Sequence, residues 1–387
     1  MQFRISTLPG GARLLTLSLP ALLLGTGCPP GGALDDDDAC DGVGVLGCGQ
    51  HDPDSVALRV LGTEDDGLDV PRDLAFNPEE PGELWTVNRD DDSVVIFREA
   101  GTEDQESEHI VDPYAFHFME EPSSIAFGAP GTFATCQESD NTYNHSSPAN
   151  DFMGPALWSS DPDIFGISNG TQAGGCNLGL GSHIDMLHES PFCMGIEWED
   201  DNVYWVFDGA HSAIVRYDFH TDHGVGCDDH SDGEVARYVQ GEVDRKEDVP
   251  SHLALDRQTG FLYVADTGNS RVAVLDTSSG EEGDGLQPSE PGVDYYRMED
   301  AEMWTLFDGD DWNVDDPSGL VLHDGLLFVS DHDNGNILAF NLDGDLVDWL
   351  ETGRDGVMGL EFSPDGELWF VDAEEDELVR VGPGAGG

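Results

Sequence analysis

A short sequence motif recurs six times along the chain and constrains the fold more than any other feature of the sequence. In its clearest copy, three apolar runs at 250–256, 259–266 and 271–276 are separated by turn-forming residues. Short runs in which apolar and polar residues alternate are typical of strands that bury one face. Each copy of the motif therefore predicts a unit of at least three short strands.

The six copies are aligned by the first apolar residue of their first run. They begin at Leu74, Ile125, Ile196, Leu253, Leu320 and Leu360. A lone four-stranded sheet exposes two apolar faces, whereas radial packing of several such sheets buries both. We therefore predict an all-β chain that folds as a six-bladed β-propeller over residues 55–382.

The ends of the repeat region predict how the ring closes. The last unit ends near Val381 after only three runs, and an isolated apolar run at 55–62 precedes the first unit. We expect 55–62 to supply the missing outer strand of the last blade and to lock the ring. Residues 383–387 then form a short tail.

The repeated sequence pattern resembles the NHL repeat family over about residues 55–382. The resemblance is clearest in Asp-Thr-Gly-Asn-Ser-Arg-Val at 266–272. The resemblance implies an NHL-like propeller, a fold that hosts many unrelated activities. Among propellers of this type, the α-amidating lyases hold zinc on channel histidines, and similarity to them implies a role for His252. Gluconolactonase-type propellers hold calcium on channel carboxylates, and similarity to them implies a role for Asp73.

Residues 1–28 have the pattern of an export signal. Arg4 and Arg13 provide a positive start, an apolar run fills 14–24, and small residues at 25–27 follow. The apolar run is about half the ~20 residues that a membrane helix needs. We therefore expect the protein to be exported, to the bacterial cell envelope or beyond it.

Cys28 directly follows the small residues, a pattern that resembles a bacterial lipobox and implies acylation of this cysteine. The alternative is an ordinary cleaved signal with an unmodified Cys28, which would leave the protein periplasmic or extracellular. The Gly-, Pro- and Asp-rich stretch at 29–54 lacks the apolar residues needed to fold, so we expect a disordered tether there.

The charge of the chain excludes one class of partner. Asp and Glu number 80 against 15 Lys and Arg, which gives a net charge of −65. Such a surface repels nucleic acid and anionic lipid, so we expect no nucleic-acid partner and no membrane contact besides the lipid anchor. The acidic residues are spread along the whole chain, which favours adaptation to a salty medium, and Ca²⁺ binding is the alternative. We expect a monomer.

Six cysteines remain after Cys28, an even number that favours disulfides in an exported chain. Sequence alone does not choose among the pairings, although Cys40 with Cys48 is the most local pair. The candidates are Cys40, Cys48, Cys136, Cys176, Cys193 and Cys227.

Seven of the 13 histidines fall between residues 183 and 252. One group, His220, His223, Cys227 and His230, brings nitrogen and sulfur donors together on one glycine-containing loop, which suits Zn²⁺. The alternative is a polar loop without a metal, with Cys227 in a disulfide. A second group, His183 and His188, precedes the third unit and should lie over a propeller face.

The residue just before the first apolar position of each unit is expected to face the central channel. These positions hold Asp73, Ser124 and His252 in three units and glycine in the other three. An Asp also recurs after the second run of most units, where it is expected to bind backbone N–H groups of the next turn. The metal-ligand candidates are His183, His188, His211, His223, His230 and His252.

Two functions remain compatible with these patterns. The first is an extracytoplasmic binding or scaffold propeller, able to carry a metal, that binds an unidentified protein or small-molecule ligand. It would act through the face formed by residues 137–192, which include the long insertion at 137–191, and by residues 218–233. The alternative is a hydrolase or lyase dependent on Zn²⁺ or Ca²⁺, centred near His183, His188, His211 and His252. The sequence identifies no catalytic residue.

Overall fold

The computed structural model describes residues 40, 42–140, 153–167, 175–287 and 291–384. In these residues it contains 26 strands, β1–β26, one turn of α-helix, α1 (Ala115–Phe118), and five short 3₁₀ turns. The strands form six sheets arranged as the blades of a propeller. The predicted fold class is therefore confirmed. The 3₁₀ turns are Gly44–Leu46, Pro53–Ser55, Glu64–Asp66, Thr267–Asn269 and Gly309–Asp311.

Each blade starts with its inner strand at the channel and steps outward strand by strand. The strand before the first blade is β1 (Val56–Gly62). Blade 1 contains β2 (Pro71–Phe76), β3 (Leu84–Asn88), β4 (Ser93–Arg98) and β5 (Glu106–Val111). Blade 2 contains β6 (Pro122–Phe127), β7 (Thr132–Gln137), β8 (Ala156–Ser159) and β9 (His183–Met186). Blade 3 contains β10 (Cys193–Asp200), β11 (Val203–Asp208), β12 (Ala213–Asp218) and β13 (Glu234–Tyr238).

The remaining blades follow the same plan, with one hairpin inserted in the fourth. Blade 4 contains β14 (Leu253–Asp256), β15 (Phe261–Asp266), β16 (Arg271–Asp276) and β19 (Met303–Asp308). The hairpin of β17 (Glu281–Gly285) and β18 (Asp294–Glu299) lies between β16 and β19 in the chain. Blade 5 contains β20 (Pro317–His323), β21 (Leu326–Asp331), β22 (Asn336–Asn341) and β23 (Leu346–Glu351). Blade 6 contains β24 (Val357–Phe362), β25 (Leu368–Asp372) and β26 (Glu377–Pro383).

The ring closes as the sequence predicts. Strand β1 pairs antiparallel with β26, with Val56 opposite Pro383 and Val60 opposite Val379, and so becomes the fourth strand of blade 6. Ser55 belongs to the preceding 3₁₀ turn instead of the strand. Because the first and last segments share one sheet, the two ends of the repeat region are held together.

Six hydrophobic clusters, one at each interface between neighbouring blades, form the core of the described residues. Trp85 of blade 1 packs against Phe133 of blade 2 in one of them, and Trp369 of blade 6 packs beside Phe97 of blade 1 in another. Apolar residues on alternate positions of each strand bury both faces of every blade in this way. The inner strands run from one face of the ring, here called the upper face, to the opposite lower face.

The insertion at 137–191 does not lie outside the repeat, contrary to the expectation from sequence. It supplies the third and fourth strands of blade 2, β8 and β9, which pair antiparallel with each other and with β7. Each of these strands has only four residues. Strands this short between long loops show too little alternation to be recognised as a repeat.

The hairpin of β17 and β18 extends blade 3 rather than its own blade 4. Strand β18 pairs parallel with β13, so blade 3 becomes a six-stranded sheet. The chain therefore crosses from blade 4 to the outer edge of blade 3 and back. This crossover was not visible in the sequence.

Residues 42–54, which we expected to be part of a disordered tether, pack on the outside of blades 5 and 6. Leu46 is fully buried, and the backbone N–H groups of Val43 and Gly49 donate to Asp348. The His51 ring also stacks on Trp349. Residues 1–39, with the predicted export signal, Cys28 and the rest of the tether, lie outside the described residues.

All six cysteine candidates form disulfides. Cys40 pairs with Cys48, as the local spacing suggested, Cys136 pairs with Cys193, and Cys176 pairs with Cys227. The last two pairs join blade 2 to blade 3, or the loops that belong to these blades. Three disulfides are typical of proteins in an oxidising, extracytoplasmic environment. Among the described residues, no helix is long and apolar enough to cross a membrane.

Candidate functional site

Two residues predicted to face the channel meet at its upper end. His252 Nδ1 lies 3.7 Å from Asp73 Oδ1, and His252 Nε2 lies 3.2 Å from the Ser123 carbonyl oxygen. His252 directly precedes the inner strand of blade 4, Asp73 lies in that of blade 1, and these blades stand opposite in a ring of six. Their contact therefore spans the channel. Ser124, the third predicted residue, is also fully buried.

Burial keeps both partners of this contact close to neutral. It lowers the pKa of His252 to about 4, and the nearby Arg72 charge adds to the effect. Burial raises the pKa of Asp73 to about 8, although the backbone N–H groups of Ile125 and Leu74 donate to its carboxylate. At neutral pH the pair is therefore an uncharged imidazole facing a carboxylic acid.

A buried carboxylate that the sequence did not single out closes the upper end of the channel. Glu138 accepts hydrogen bonds from the Arg72 guanidinium at 2.8 Å, from Arg245, and from the Asp248 backbone N–H at 3.1 Å. Arg89 binds Asp248 in turn, at 2.6 Å. These ion pairs link the inner strand of blade 1 to loops of blades 2 and 3, so the upper end is occupied by protein groups.

The lower end of the channel is open and forms a pocket of about 500 Å³. Its walls come mainly from the lower ends of the inner strands and the turns that follow them. None of the lining residues in the described part of the chain belongs to 137–192 or 218–233, where the sequence placed the active face. The lining residues are Ala75, Phe76, Pro78, Glu79, Ile125, Ala126, Phe127, Gly128, Pro130, Glu197, Trp198, Arg257 and Glu361.

Two of the three carboxyl groups that line this pocket, Glu197 on blade 3 and Glu361 on blade 6, belong to inner strands. Burial raises the pKa of Glu197 to about 7, while the Arg257 charge opposes the rise. Burial also raises the pKa of Glu361 to about 8, and the charges of Asp73 and Glu197 add to it. Carboxyl groups with such raised pKa values in a cleft are typical of functional sites.

Aromatic and basic groups form part of the pocket wall beside these carboxyls. The Arg257 guanidinium lies 4.7 Å from the centroid of the Trp198 ring, and its Nη2 lies 3.4 Å from Glu197 Oε1. Phe76 and Phe127 are half-buried and also line the pocket. A ligand in the pocket would therefore contact flat apolar surface and carboxyl groups together.

Four of the six metal candidates lie away from the channel, in a group that we call the outer histidine cluster: Asp185, His183, His188, His223 and His230. His223 Nδ1 is 3.2 Å from Asp185 Oδ2, and His230 Nδ1 is 3.6 Å from Asp185 Oδ1. The ring of His188 meets that of His230 edge-on at 5.2 Å. Asp185 itself was not predicted.

Each imidazole next to Asp185 also faces a second carboxylate. His223 Nε2 lies 3.6 Å from Asp232, and His230 Nε2 lies 3.6 Å from Asp228. Asp185 is 2% exposed, and burial raises the pKa of its carboxyl group. The cluster is thus a row of alternating carboxylates and imidazoles at separations of 3.2 to 3.6 Å.

His183 belongs to the cluster by position but behaves as a core residue. Its ring stacks on Phe118 with centroids 3.7 Å apart, and its Nδ1 lies 2.8 Å from the Leu180 carbonyl oxygen. Burial lowers its pKa to about 3. His183 lies on β9, the outer strand of blade 2, which three strand spacings of ~4.8 Å place about 14 Å from the inner strand.

His211 lies in neither region. Its Nδ1 is 2.8 Å from Asp208, the recurrent Asp of blade 3, which also accepts the backbone N–H groups of Ala210 and His211. Asp372 binds two N–H groups of its own turn in the same way. The structural role expected for the recurrent Asp is therefore confirmed.

The enzyme alternative requires His183, His188, His211 and His252 to converge on the channel. The structure does not bring these four histidines together. Among the described residues, no group of three or more His, Cys, Asp and Glu is arranged to hold a metal ion. Cys227, the sulfur donor considered in the loop at 218–233, is bound to Cys176.

Comparisons with known proteins agree with this architecture. The NHL repeat model matches residues 248–275, which contain the first strands of blade 4. No curated protein matches the sequence significantly.

Several solved structures share the fold at low identity. An auxiliary nutrient binding protein from Bacteroides thetaiotaomicron is 11% identical with a TM-score of 0.52, over 84% of this chain and 76% of that one. Regucalcin from Agrobacterium tumefaciens, described as calcium-binding, is 11% identical with a TM-score of 0.51, over 85% and 94%. Virginiamycin B lyase from Staphylococcus aureus is 12% identical with a TM-score of 0.50, over 84% and 99%. At such identities the likeness shows the fold alone, and the chain is a six-bladed β-propeller that carries an NHL repeat in its fourth blade.

Proposed function

We propose that this protein is an extracytoplasmic binding propeller that takes a small organic ligand in the pocket at the lower end of its channel. The observation that carries the proposal is the pocket itself, about 500 Å³, with apolar walls and two carboxyl groups whose pKa values are raised. Small-molecule sites in proteins are usually concave, largely apolar and equipped with a few polar groups. The propeller neighbours described as nutrient-binding are compatible with this role.

The proposal is tested with ligand screening and two paired variants. A library of small polar metabolites is added to the purified protein, and the melting temperature is measured for the wild type and for Trp198→Ala. Trp304, which is 40% exposed on the outer strand of blade 4, provides the matched control variant Trp304→Ala. We expect a ligand that stabilises the wild type and the control but not Trp198→Ala.

A second variant separates loss of the pocket from loss of folding. Ala126 lines the pocket and packs in the hydrophobic cluster between blades 2 and 3, and Ala126→Phe adds bulk at this position. Loss of ligand-induced stabilisation in both pocket variants, with cooperative unfolding retained, supports the proposal. Ligands that stabilise the pocket variants as much as the wild type would rule out this pocket as the binding site.

We also propose that the protein is exported and anchored by a lipid on Cys28. The three disulfides support an oxidising compartment, and the lipobox-like pattern supports the anchor. Mass spectrometry of the N-terminal peptide from membranes tests it, with Cys28→Ser as the control. A mature N-terminus at another residue, or an unmodified Cys28, would contradict the anchor.

Metal binding is the second candidate function, and the outer histidine cluster is the observation that favours it. Imidazole nitrogens around a carboxylate are donors that suit Zn²⁺ rather than Ca²⁺. Isothermal titration with ZnCl₂ and CaCl₂ compares the wild type with His223→Ala and His252→Ala. Zn²⁺ affinity lost only in His223→Ala supports a metal role for the cluster. Loss of Zn²⁺ or Ca²⁺ affinity in His252→Ala would instead support a hydrolase or lyase with its metal in the channel. If neither ion binds the wild type, both metal roles are ruled out.

A further inference from the structure

The floor of the lower pocket pairs two carboxyl groups across the channel. Glu197 and Glu361 both follow the first apolar residue of their units, the third and the sixth, which stand opposite in a ring of six. The same position holds Ala75, Ala126, Ala254 or Val321 in the other four units. The two carboxyls therefore line one pocket from opposite blades, among small apolar side chains, and the charge of Glu197 acts on Glu361.

Basic partners of these two carboxyls are few among the described residues. Arg257 is the one basic residue among the described lining residues, and its Nη2 lies 3.4 Å from Glu197 Oε1. Arg257 is also held by the carbonyl oxygens of Glu199 and Trp198. Glu361 accepts the Phe362 backbone N–H through Oε1, and no salt bridge to it forms in the described part of the chain.

We propose that the lower pocket binds an organic cation, with its ammonium group between Glu197 and Glu361 and its apolar body against Trp198 and Phe127. The inference rests on the proposed function and names the ligand class for that same pocket. A cation gains charge-assisted hydrogen bonds from two carboxylates, and aromatic faces attract cations in addition. The apolar walls select an ammonium group that is attached to hydrocarbon rather than a bare ion.

The rest of the molecule favours the same sign of charge. The chain carries a net charge of −65, which concentrates cations near its surface and repels anions. The Arg-containing upper end, where an anion would find guanidinium groups, is closed by Glu138. The titratable and charged groups around the pocket and the channel behind it are Asp73, Glu79, Glu197, His252, Arg257 and Glu361.

Binding of a cation has a consequence that binding of a neutral ligand lacks. The empty pocket keeps Glu197 and Glu361 substantially protonated near neutral pH, because burial raises the pKa of each. An ammonium group between them favours the charged carboxylates and lowers both pKa values. Cation binding therefore releases protons to the solvent, and affinity rises as the pH increases from 6 to 9.

Three probes of matched shape test the charge preference. 2-Phenylethylammonium, 2-phenylethanol and phenylacetate are titrated calorimetrically into the purified protein at pH 7. We expect the ammonium probe to bind at least about tenfold more tightly than the alcohol, and phenylacetate to bind more weakly than the alcohol. Titrations in buffers with different ionisation enthalpies should show proton release for the ammonium probe alone.

The variants Glu361→Gln and Glu281→Gln complete the test, the second as a control on the exposed strand β17. We expect Glu361→Gln to reduce affinity for the ammonium probe about tenfold and to leave affinity for the alcohol within twofold. Equal binding of the three probes, tighter binding of an uncharged or anionic probe, or no binding of the ammonium probe overturns the inference. Such a result leaves the pocket proposal to be judged separately by Trp198→Ala and the metabolite library.

Discussion

The lower pocket and the outer histidine cluster differ in how their polar groups are satisfied. In the cluster, Asp185 lies between His223 and His230, and each imidazole faces a second carboxylate, so basic and acidic groups alternate. In the pocket, Glu197 and Glu361 line a cavity of about 500 Å³, and its one described arginine, Arg257, contacts Glu197. The cluster is richer in groups of the kind that bind metals, but the pocket has open space beside its carboxyl groups that a ligand can use.

A concentration of histidines is therefore a weak guide to a binding site. The loop at 218–233 wraps along the outer strand of blade 2, where the His223 and Gly226 backbone N–H groups donate to β9 carbonyls. Its histidines therefore help to fix a loop on the propeller. Variants in the cluster and in the pocket distinguish a structural role from a binding role.

The largest expected effect concerns the disulfide between Cys176 and Cys227, which joins the loops that carry the cluster. Replacing both with serine removes a crosslink over 51 residues, and we expect a loss of about 4 kcal/mol in the free energy of unfolding. The control pair, Cys40 and Cys48, spans 8 residues and should cost about 2 kcal/mol. Urea unfolding measures both. A loss of pocket affinity in the first variant would show that the cluster supports the pocket, against the separation drawn here.

Asp185→Ala should have the next largest effect. It leaves His223 and His230 without the buried carboxylate between them, and we expect a loss of about 3 kcal/mol in the free energy of unfolding. Glu361→Gln is the matched change in the pocket and should cost less than about 1 kcal/mol near neutral pH, because an amide replaces a mostly protonated acid. Equal losses in urea unfolding would mean that Glu361 is also a structural residue.

The sequence predicted the fold more fully than the site, and the reason is the repeat. Six aligned units revealed the inner strands and the closing strand at 55–62, because each copy buries the same face. The alternation of side chains along a strand also predicts two further channel-facing residues. Asp73 and His252 precede the first apolar residue of their units, so Glu197 and Glu361, which follow it, face the same channel.

Other parts of the site could not be read from the sequence, because they depend on tertiary contacts. Glu138 is one acidic residue among 80, and only the fold shows that it binds Arg72 and Arg245. The separation of His252 from His183 likewise depends on blade 2 taking its outer strand from the insertion. Nothing in the spacing of those histidines distinguishes an inner strand from an outer one.

The pH dependence of stability should reveal the pocket carboxyls. Glu197 and Glu361 have folded pKa values of about 7 and about 8, above the ordinary 4.5, so the folded state binds more protons between pH 4.5 and 8. Stability therefore falls as the pH rises through this window. The free energy of unfolding should therefore fall less between pH 5 and pH 8 in the double variant Glu197→Gln, Glu361→Gln than in the wild type. We expect the difference to be about 2 kcal/mol, after allowance for solvent screening.

The matched control for this pH profile lies on the exposed strand β17. Glu281→Gln with Glu282→Gln removes the same charge from an exposed site and should leave the slope of the wild type unchanged. The comparison cancels the general repulsion of a chain with a net charge of −65. Parallel curves for the wild type and the pocket variant would show that the two carboxyls titrate like surface groups.

The smallest expected effect concerns His252, the channel residue that the sequence favoured most. Its Nε2 lies 3.2 Å from the Ser123 carbonyl oxygen, and a glutamine at this position can donate an amide hydrogen to the same acceptor. We expect His252→Gln to change the free energy of unfolding by less than about 1 kcal/mol and the pocket affinity by less than twofold, since Glu197 and Glu361 do not depend on it. Because His252 sits at the upper end, which Glu138 and its arginines close, a tenfold loss of affinity in calorimetry would mean that ligand reaches through the whole channel. In that case the two ends would form one site, and Asp73 would join Glu197 and Glu361 as part of it.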